Sequence, residues 1–132
     1  MKILIIDDEE FICEILSEFL SEYGEVTTLQ EGSKAFDLYK EALDNDDPYN
    51  LIYLDVMMPD ISGLEVLKLI QNNESSLDEK DKTKIIMITS SYDPDNFFEA
   101  YRGGCQVFLT KPLRQNIIQE KLSQLGIEKL KK

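Results

Sequence analysis

Asp7, Asp8, Asp55, Thr89 and Lys111 are the residues whose types and spacing could handle a phosphoryl group. Asp55 closes the run Leu51-Ile52-Tyr53-Leu54, and Pro59 follows soon after. A short apolar run ended by turn residues reads as a buried strand. A carboxylate at the carboxyl end of such a strand stands where open α/β sheets build their sites. Asp55 is therefore the candidate phosphoryl acceptor. Asp7 and Asp8 close the run Ile3 to Ile6, Thr89 ends the run that starts at Ile85, and Lys111 follows Gln106 to Thr110. Two unit charges 4 Å apart repel by about 4 kcal/mol at an effective dielectric near 20, so three converging carboxylates call for a cation. With only oxygen ligands at hand, that cation is Mg²⁺, which takes one or two carboxylates and keeps waters and phosphate oxygens. Lys111 would pair with the incoming phosphate, and the Thr89 hydroxyl could donate a hydrogen bond to it.

Each residue also has a plainer reading. Acids ahead of a helix, as in Asp7-Asp8-Glu9-Glu10, cap it and complement its dipole. Asp55 could be a turn residue, Thr89 a β-former, and Lys111 a solvated charge. The functional reading gains weight because all of them fall at one edge of the expected sheet.

The elements that must position these residues follow from periodicity. Phe11, Ile12, Ile15, Leu16, Phe19 and Leu20 recur at helical spacing, with Gly24 as the expected C-cap. Glu25 to Leu29 is a more polar strand suited to a sheet edge. Ala35, Phe36, Tyr39, Ala42 and Leu43 mark a second helix opened near Ser33, and a third begins at about Ser62 with Leu64, Leu67 and Ile70 on one face. Asn72 to Lys84 is polar and reads as a surface loop. Pro94 opens a short helix with Phe97, Phe98, Ala100 and Tyr101, which Gly103-Gly104 stops. The last helix carries Leu113, Ile117, Ile118, Leu122 and Leu125 inward. Strands alternating with helices predict a parallel sheet covered on both faces. The expected fold is α/β and flavodoxin-like: a doubly wound five-stranded parallel sheet in the order 2-1-3-4-5, with five helices. Residues 1–126 are expected to form the domain, and 127–132 a short basic tail.

Bulk properties narrow the function classes. A 132-residue chain suits one domain with a real core. Its net charge of −12 argues against binding nucleic acid or an anionic membrane. Histidine is absent, which excludes His-based acid–base, nucleophilic and zinc chemistry. Cys13 and Cys105 form no CxxC pattern and are expected as reduced thiols. No signal-peptide region or transmembrane run is evident, so the expected location is cytoplasmic.

Along essentially its whole length the chain resembles a CheY-like response regulator receiver domain. The resemblance rests on Ile3-Leu4-Ile5-Ile6-Asp7-Asp8-Glu9, on Tyr53-Leu54-Asp55-Val56-Met57-Met58-Pro59-Asp60-Ile61-Ser62-Gly63, on Ile85-Ile86-Met87-Ile88-Thr89-Ser90, and on Gly104-Cys105 through Phe108-Leu109-Thr110-Lys111-Pro112. It implies a switch of two-component signalling in which Asp55 takes phosphate from the phosphohistidine of a sensor histidine kinase or phosphotransfer protein. It implies that Asp8, Asp55 and the Met57 backbone carbonyl ligate Mg²⁺ directly, with Asp7 acting mostly through a metal-bound water. Thr89 and Phe108 would form the switch pair, and Lys111-Pro112 would be a cis peptide. Such a domain is no enzyme in the ordinary sense, although it assists its own phosphotransfer and autodephosphorylation. The output surface would be the face of the fourth helix, fifth strand and fifth helix, read by a partner or, after phosphorylation, by a second copy. Departures from the common pattern are Phe108 without a hydroxyl, Ser90 where Ala is frequent, Val107 in place of a frequent acid, and a longer 72–84 loop.

Other classes fit less well. A receiver-like module that is never phosphorylated has no need of the full Asp-Asp, Asp, Thr, Lys set. A haloacid-dehalogenase-like phosphatase wants Asp-x-Asp, but Met57 stands two residues after Asp55. A flavodoxin would not seat an anionic cofactor among three carboxylates.

Overall fold

Strand residues alternate between the two faces of a sheet, and the apolar runs of this chain supply both faces at once. In the computed structural model, which describes residues 1–90 and 93–130, five strands form one parallel sheet in the order β2-β1-β3-β4-β5. They are β1 (Lys2–Ile6), β2 (Glu25–Leu29), β3 (Leu51–Asp55), β4 (Lys84–Thr89) and β5 (Val107–Thr110). The helices between and after them are α1 (Glu10–Leu20), α2 (Ala35–Asp44), α3 (Gly63–Glu74), α4 (Pro94–Arg102) and α5 (Gln115–Gln124). Fold class, strand order and helix number agree with the expectation from sequence.

Two cores result. Leu4, Ile6, Ile52, Leu54, Ile85 and Met87 face α2, α3 and α4. Ile3, Ile5, Leu51, Tyr53, Ile86 and Ile88 face α1 and α5. Burying each such side chain contributes roughly 1.5–3 kcal/mol, and the central strands bury them on both faces. Cys13 lies in one core and Cys105 in the other, both as free thiols. Burial pushes the Cys105 thiol up to about 12, and burial with the nearby Asp7 charge pushes Cys13 up to about 11, both toward the protonated form.

Several local expectations need correction. Gly24 does not cap α1, which ends at Leu20 with Ser21 as C-cap. Gly24 instead lets the chain pass close to the start of β1, where a Cβ would collide with the Met1 carbonyl oxygen. Phe11 does not face the core: it is 68% exposed, and Ile12, Cys13, Leu16 and Leu20 form the buried side of α1. The segment from Asn72 is not all surface loop. Helix α3 runs on to Glu74, and the buried Glu74 carboxylate accepts hydrogen bonds from Tyr39 Oη (2.6 Å) and the Thr83 amide (3.2 Å). Leu113 precedes α5 but still packs, half-buried, against the α1/α5 core.

Of the expected tail, Ile127 is buried and the Leu130 amide donates to the Glu22 carbonyl at 2.8 Å. Lys131 and Lys132 lie outside the described residues. No described helix is long and apolar enough to cross a membrane.

Candidate functional site

Because β1 and β3 are neighbours in parallel register, with Ile6 beside Leu54, the residues at their carboxyl ends meet. Asp7 and Asp55 are almost wholly buried, at 1% and 2% exposure. Together with Asp8 they bring one carboxylate oxygen each within 4.8 Å of one another. Backbone amides hold the two buried groups: Glu9 N–H donates to Asp7 Oδ1 at 2.9 Å, and Met57 N–H to Asp55 Oδ1 at 3.2 Å. Helix α3 starts close by because Ser62 Oγ accepts from the Leu64 amide at 3.2 Å. Gly63 permits that approach, since a Cβ there would run into the Asp55 carbonyl.

Lys111 enters from the far side of the sheet. Its amide donates to the Thr89 carbonyl at 2.7 Å, and the peptide to Pro112 is cis. Its ammonium lies 2.9 Å from Glu9 Oε1, 3.0 Å from Asp7 Oδ2 and 3.6 Å from Asp55 Oδ2. Burial opposes the charge on Lys111, but its hydrogen bond to Glu9, its ion pair with Asp7 and the field of Asp55 outweigh that and hold its pKa above the usual lysine value. Burial, reinforced by the charge of Asp7 and opposed by Lys111, pushes the Asp55 carboxyl up to about 7. Asp7 is raised as well, chiefly by burial.

The other expected residues sit around this cluster. Thr89 is fully buried at the end of β4, next to β3, where it pairs with Thr110. Met57 is 60% exposed and flanks an open cleft shared with Asp8, Met58, Pro59 and Ser62. Phe108 is not part of the carboxylate cluster. It is half-buried on β5, and its ring packs edge-on against Phe97 with centroids 5.6 Å apart.

Glu9 is the participant that the sequence reading missed. In sequence it reads, with its neighbours, as a helix-capping acid. It does occupy the N-cap position of α1, but its side chain makes no capping hydrogen bond. The available signal was charge: Asp7, Asp8, Glu9 and Asp55 share one edge with the cation Lys111.

Three oxygen-bearing side chains within 4.8 Å suit a hard divalent cation. Asp7 Oδ2 adds to the fit, because it is buried and receives no well-directed hydrogen bond despite the nearby ammonium. The residues present therefore fit Mg²⁺.

The sequence profile of the response regulator receiver domain matches residues 3–123. The chain belongs to this family. Receiver domains act as signalling switches of two-component systems rather than as classical enzymes. Among curated relatives, the transcriptional regulatory protein CitT of Halalkalibacterium halodurans is 32% identical over 127 residues, covering 92% of this chain and 50% of CitT. The chemotaxis protein CheY of Halobacterium salinarum is 29% identical over 125 residues, covering 94% of this chain and 95% of CheY. The hybrid signal transduction histidine kinase L of Dictyostelium discoideum is 29% identical over 126 residues, which are 95% of this chain and 7% of that kinase. The receiver domain thus spans about half of CitT and a small part of the hybrid kinase. Among solved structures, CheY4 of Vibrio cholerae superposes with a TM-score of 0.77 at 27% identity, covering 93% of this chain and 96% of that one.

Proposed function

We propose that Asp55 is the phosphoacceptor of a phosphorylation-dependent switch. It takes the phosphoryl group from the phosphohistidine of a sensor histidine kinase or phosphotransfer protein. An oxygen of Asp55 forms the new bond to phosphorus, and the P–N bond to the donor imidazole breaks. The observation that carries this reading is the site's charge balance. Among the described residues, a buried carboxylate sits with two acids at its side and one lysine, Lys111, 3.6 Å from it. Phosphoryl transfer needs mainly positioning and charge neutralisation. Bound Mg²⁺, held by Asp8, Asp55 and the Met57 carbonyl with Asp7 behind a water, would favour ionised Asp55 and neutralise the phosphoryl oxygens. Lys111 supplies the fixed positive charge for the same oxygens, and the Thr89 hydroxyl donates to them. Water later attacks the phosphorus of the acyl phosphate, the P–O bond to Asp55 breaks, and inorganic phosphate leaves with Asp55 returned to its carboxylate.

Thr89 and Phe108 form the switch pair in this reading. Thr89 moves toward the phosphate, and Phe108 follows on the adjacent strand. Phe97 already packs on Phe108, while Phe98 and Tyr101 on the same helix are 59% and 45% exposed. The face of α4, β5 and α5 then changes shape for an output partner or a second copy. Residues 1–126 are the unit proposed to carry this chemistry in the cytoplasm. The test is incubation with acetyl phosphate in Mg²⁺ or in EDTA. A hydroxylamine-labile phosphoryl group is expected with Mg²⁺ and absent with EDTA. Failure to incorporate phosphate with Mg²⁺ from either acetyl phosphate or a phosphorylated histidine kinase would overturn the reading.

A further inference from the structure

Three anions compete for one ammonium in this site. The shortest distance from Lys111 Nζ, 2.9 Å, is not to the candidate nucleophile Asp55 but to Glu9, which lies on the rim. The Glu9 side chain is 54% exposed, whereas that of Lys111 is 10% exposed. Glu9 stands at the N-cap of α1 with extended backbone, where short Ser, Thr, Asp or Asn side chains turn back to the helix amides. It makes no such bond and reaches Lys111 instead. Its backbone is fixed for this by the donation of its own amide to Asp7 Oδ1. Dipole complementarity alone explains an acid at this position, but not why its carboxylate is spent on a lysine distant in sequence.

We propose that Glu9 is a positioning residue that holds Lys111 back in the unphosphorylated protein and must release it when Asp55 is loaded. This rests on Asp55 being the phosphoacceptor. A phosphoryl group brings a charge of about −1.5 to −2 to a position that the buried lysine already faces. The Glu9 carboxylate is half in water and therefore screened, so the phosphoryl oxygens win the ammonium. The Glu9–Lys111 attraction then stabilises the resting state alone and opposes loading. An ion pair with one exposed partner shifts an equilibrium by about two- to fivefold, and the proposal predicts an effect of that size.

The test measures beryllofluoride, used with Mg²⁺ as a phosphoryl mimic, binding to the full chain. Wild type, Glu9→Gln, Lys111→Ala and the double variant are compared, with thermal melts confirming that each is folded. Glu9→Gln should bind beryllofluoride about two- to fivefold more tightly than wild type. In the Lys111→Ala background the same change should have no effect. Equal or weaker binding by Glu9→Gln overturns the proposal. So does tighter binding that persists without Lys111, because Glu9 would then act only as a repelling charge. A second readout is the Lys111 side-chain nitrogen signal by NMR. It should move on Glu9→Gln in the metal-free protein and move again when wild type binds beryllofluoride. It decides the matter if Lys111→Ala binds too weakly to measure, and an unmoved signal overturns the proposal. Wild type that binds no beryllofluoride removes the phosphoacceptor reading itself. Wild type that binds normally while Glu9→Gln matches it removes only the role of Glu9.

Discussion

A buried carboxylate next to another buried carboxylate ionises reluctantly. For Asp55, burial comes first and the Asp7 charge second, and together they set its pKa near 7. In an unfolded chain an aspartate titrates near 4. Between those values the folded protein binds more protons than the unfolded one. The stability of metal-free protein therefore falls as pH rises from about 4 to about 7, and the full penalty remains above that. Asp7, raised in the same direction, adds to the slope. Asp55→Asn should flatten it and stabilise the metal-free protein at neutral pH by about 1–3 kcal/mol. Melts in EDTA across that pH range check this, and an unchanged slope in the variant would contradict it. Tyr53 supplies a second residue-scale prediction. Its hydroxyl is fully buried and finds no hydrogen-bond partner among the described residues. Tyr53→Phe should raise stability by about 1 kcal/mol, measured by urea denaturation, and a loss of stability would reveal a partner.

At the scale of elements, strand ends and helix faces were legible because periodicity reports burial directly. The apolar runs within β1, β3 and β4 marked buried strands, and the polar β2 marked an edge. The same logic brought Asp7, Asp8, Asp55 and Lys111 to one place. What stayed hidden were residues whose role depends on partners distant in sequence. Glu9 belongs to an acidic block that looks like a cap, and Glu74 to a polar stretch that looks like a loop. Glu74 is instead buried at the end of α3, joining Tyr39 of α2 to the Thr83 amide just before β4. Phe11 misled in the other direction, because helical spacing alone does not say where the apolar stripe ends. Removing the Glu74 carboxylate would strand two buried donors. Glu74→Ala should cost about 2–4 kcal/mol while leaving phosphoryl acceptance at Asp55 intact. A variant as stable as wild type would show that water replaces the carboxylate there.

For the whole molecule, the parallel sheet joins the charged edge to the α4–β5 face through neighbouring strands. Lys111 follows β5 and is tied to the end of β4 through the Thr89 carbonyl, while Phe108 on β5 touches Phe97 on α4. Phosphorylation should therefore change amide exchange on α4, β5 and α5. Changes confined to α1 and α2 would contradict that route. Mg²⁺ at a hundred times its Kd should add about 2.7 kcal/mol to folded wild type and less to Asp8→Asn, read as a smaller rise in melting temperature. The measurement that bears most directly on the central claim is intact-mass spectrometry of wild type and Asp55→Asn after incubation with acetyl phosphate and Mg²⁺. Wild type should gain one phosphoryl group and folded Asp55→Asn none. Equal phosphorylation of the two proteins would contradict the assignment of Asp55.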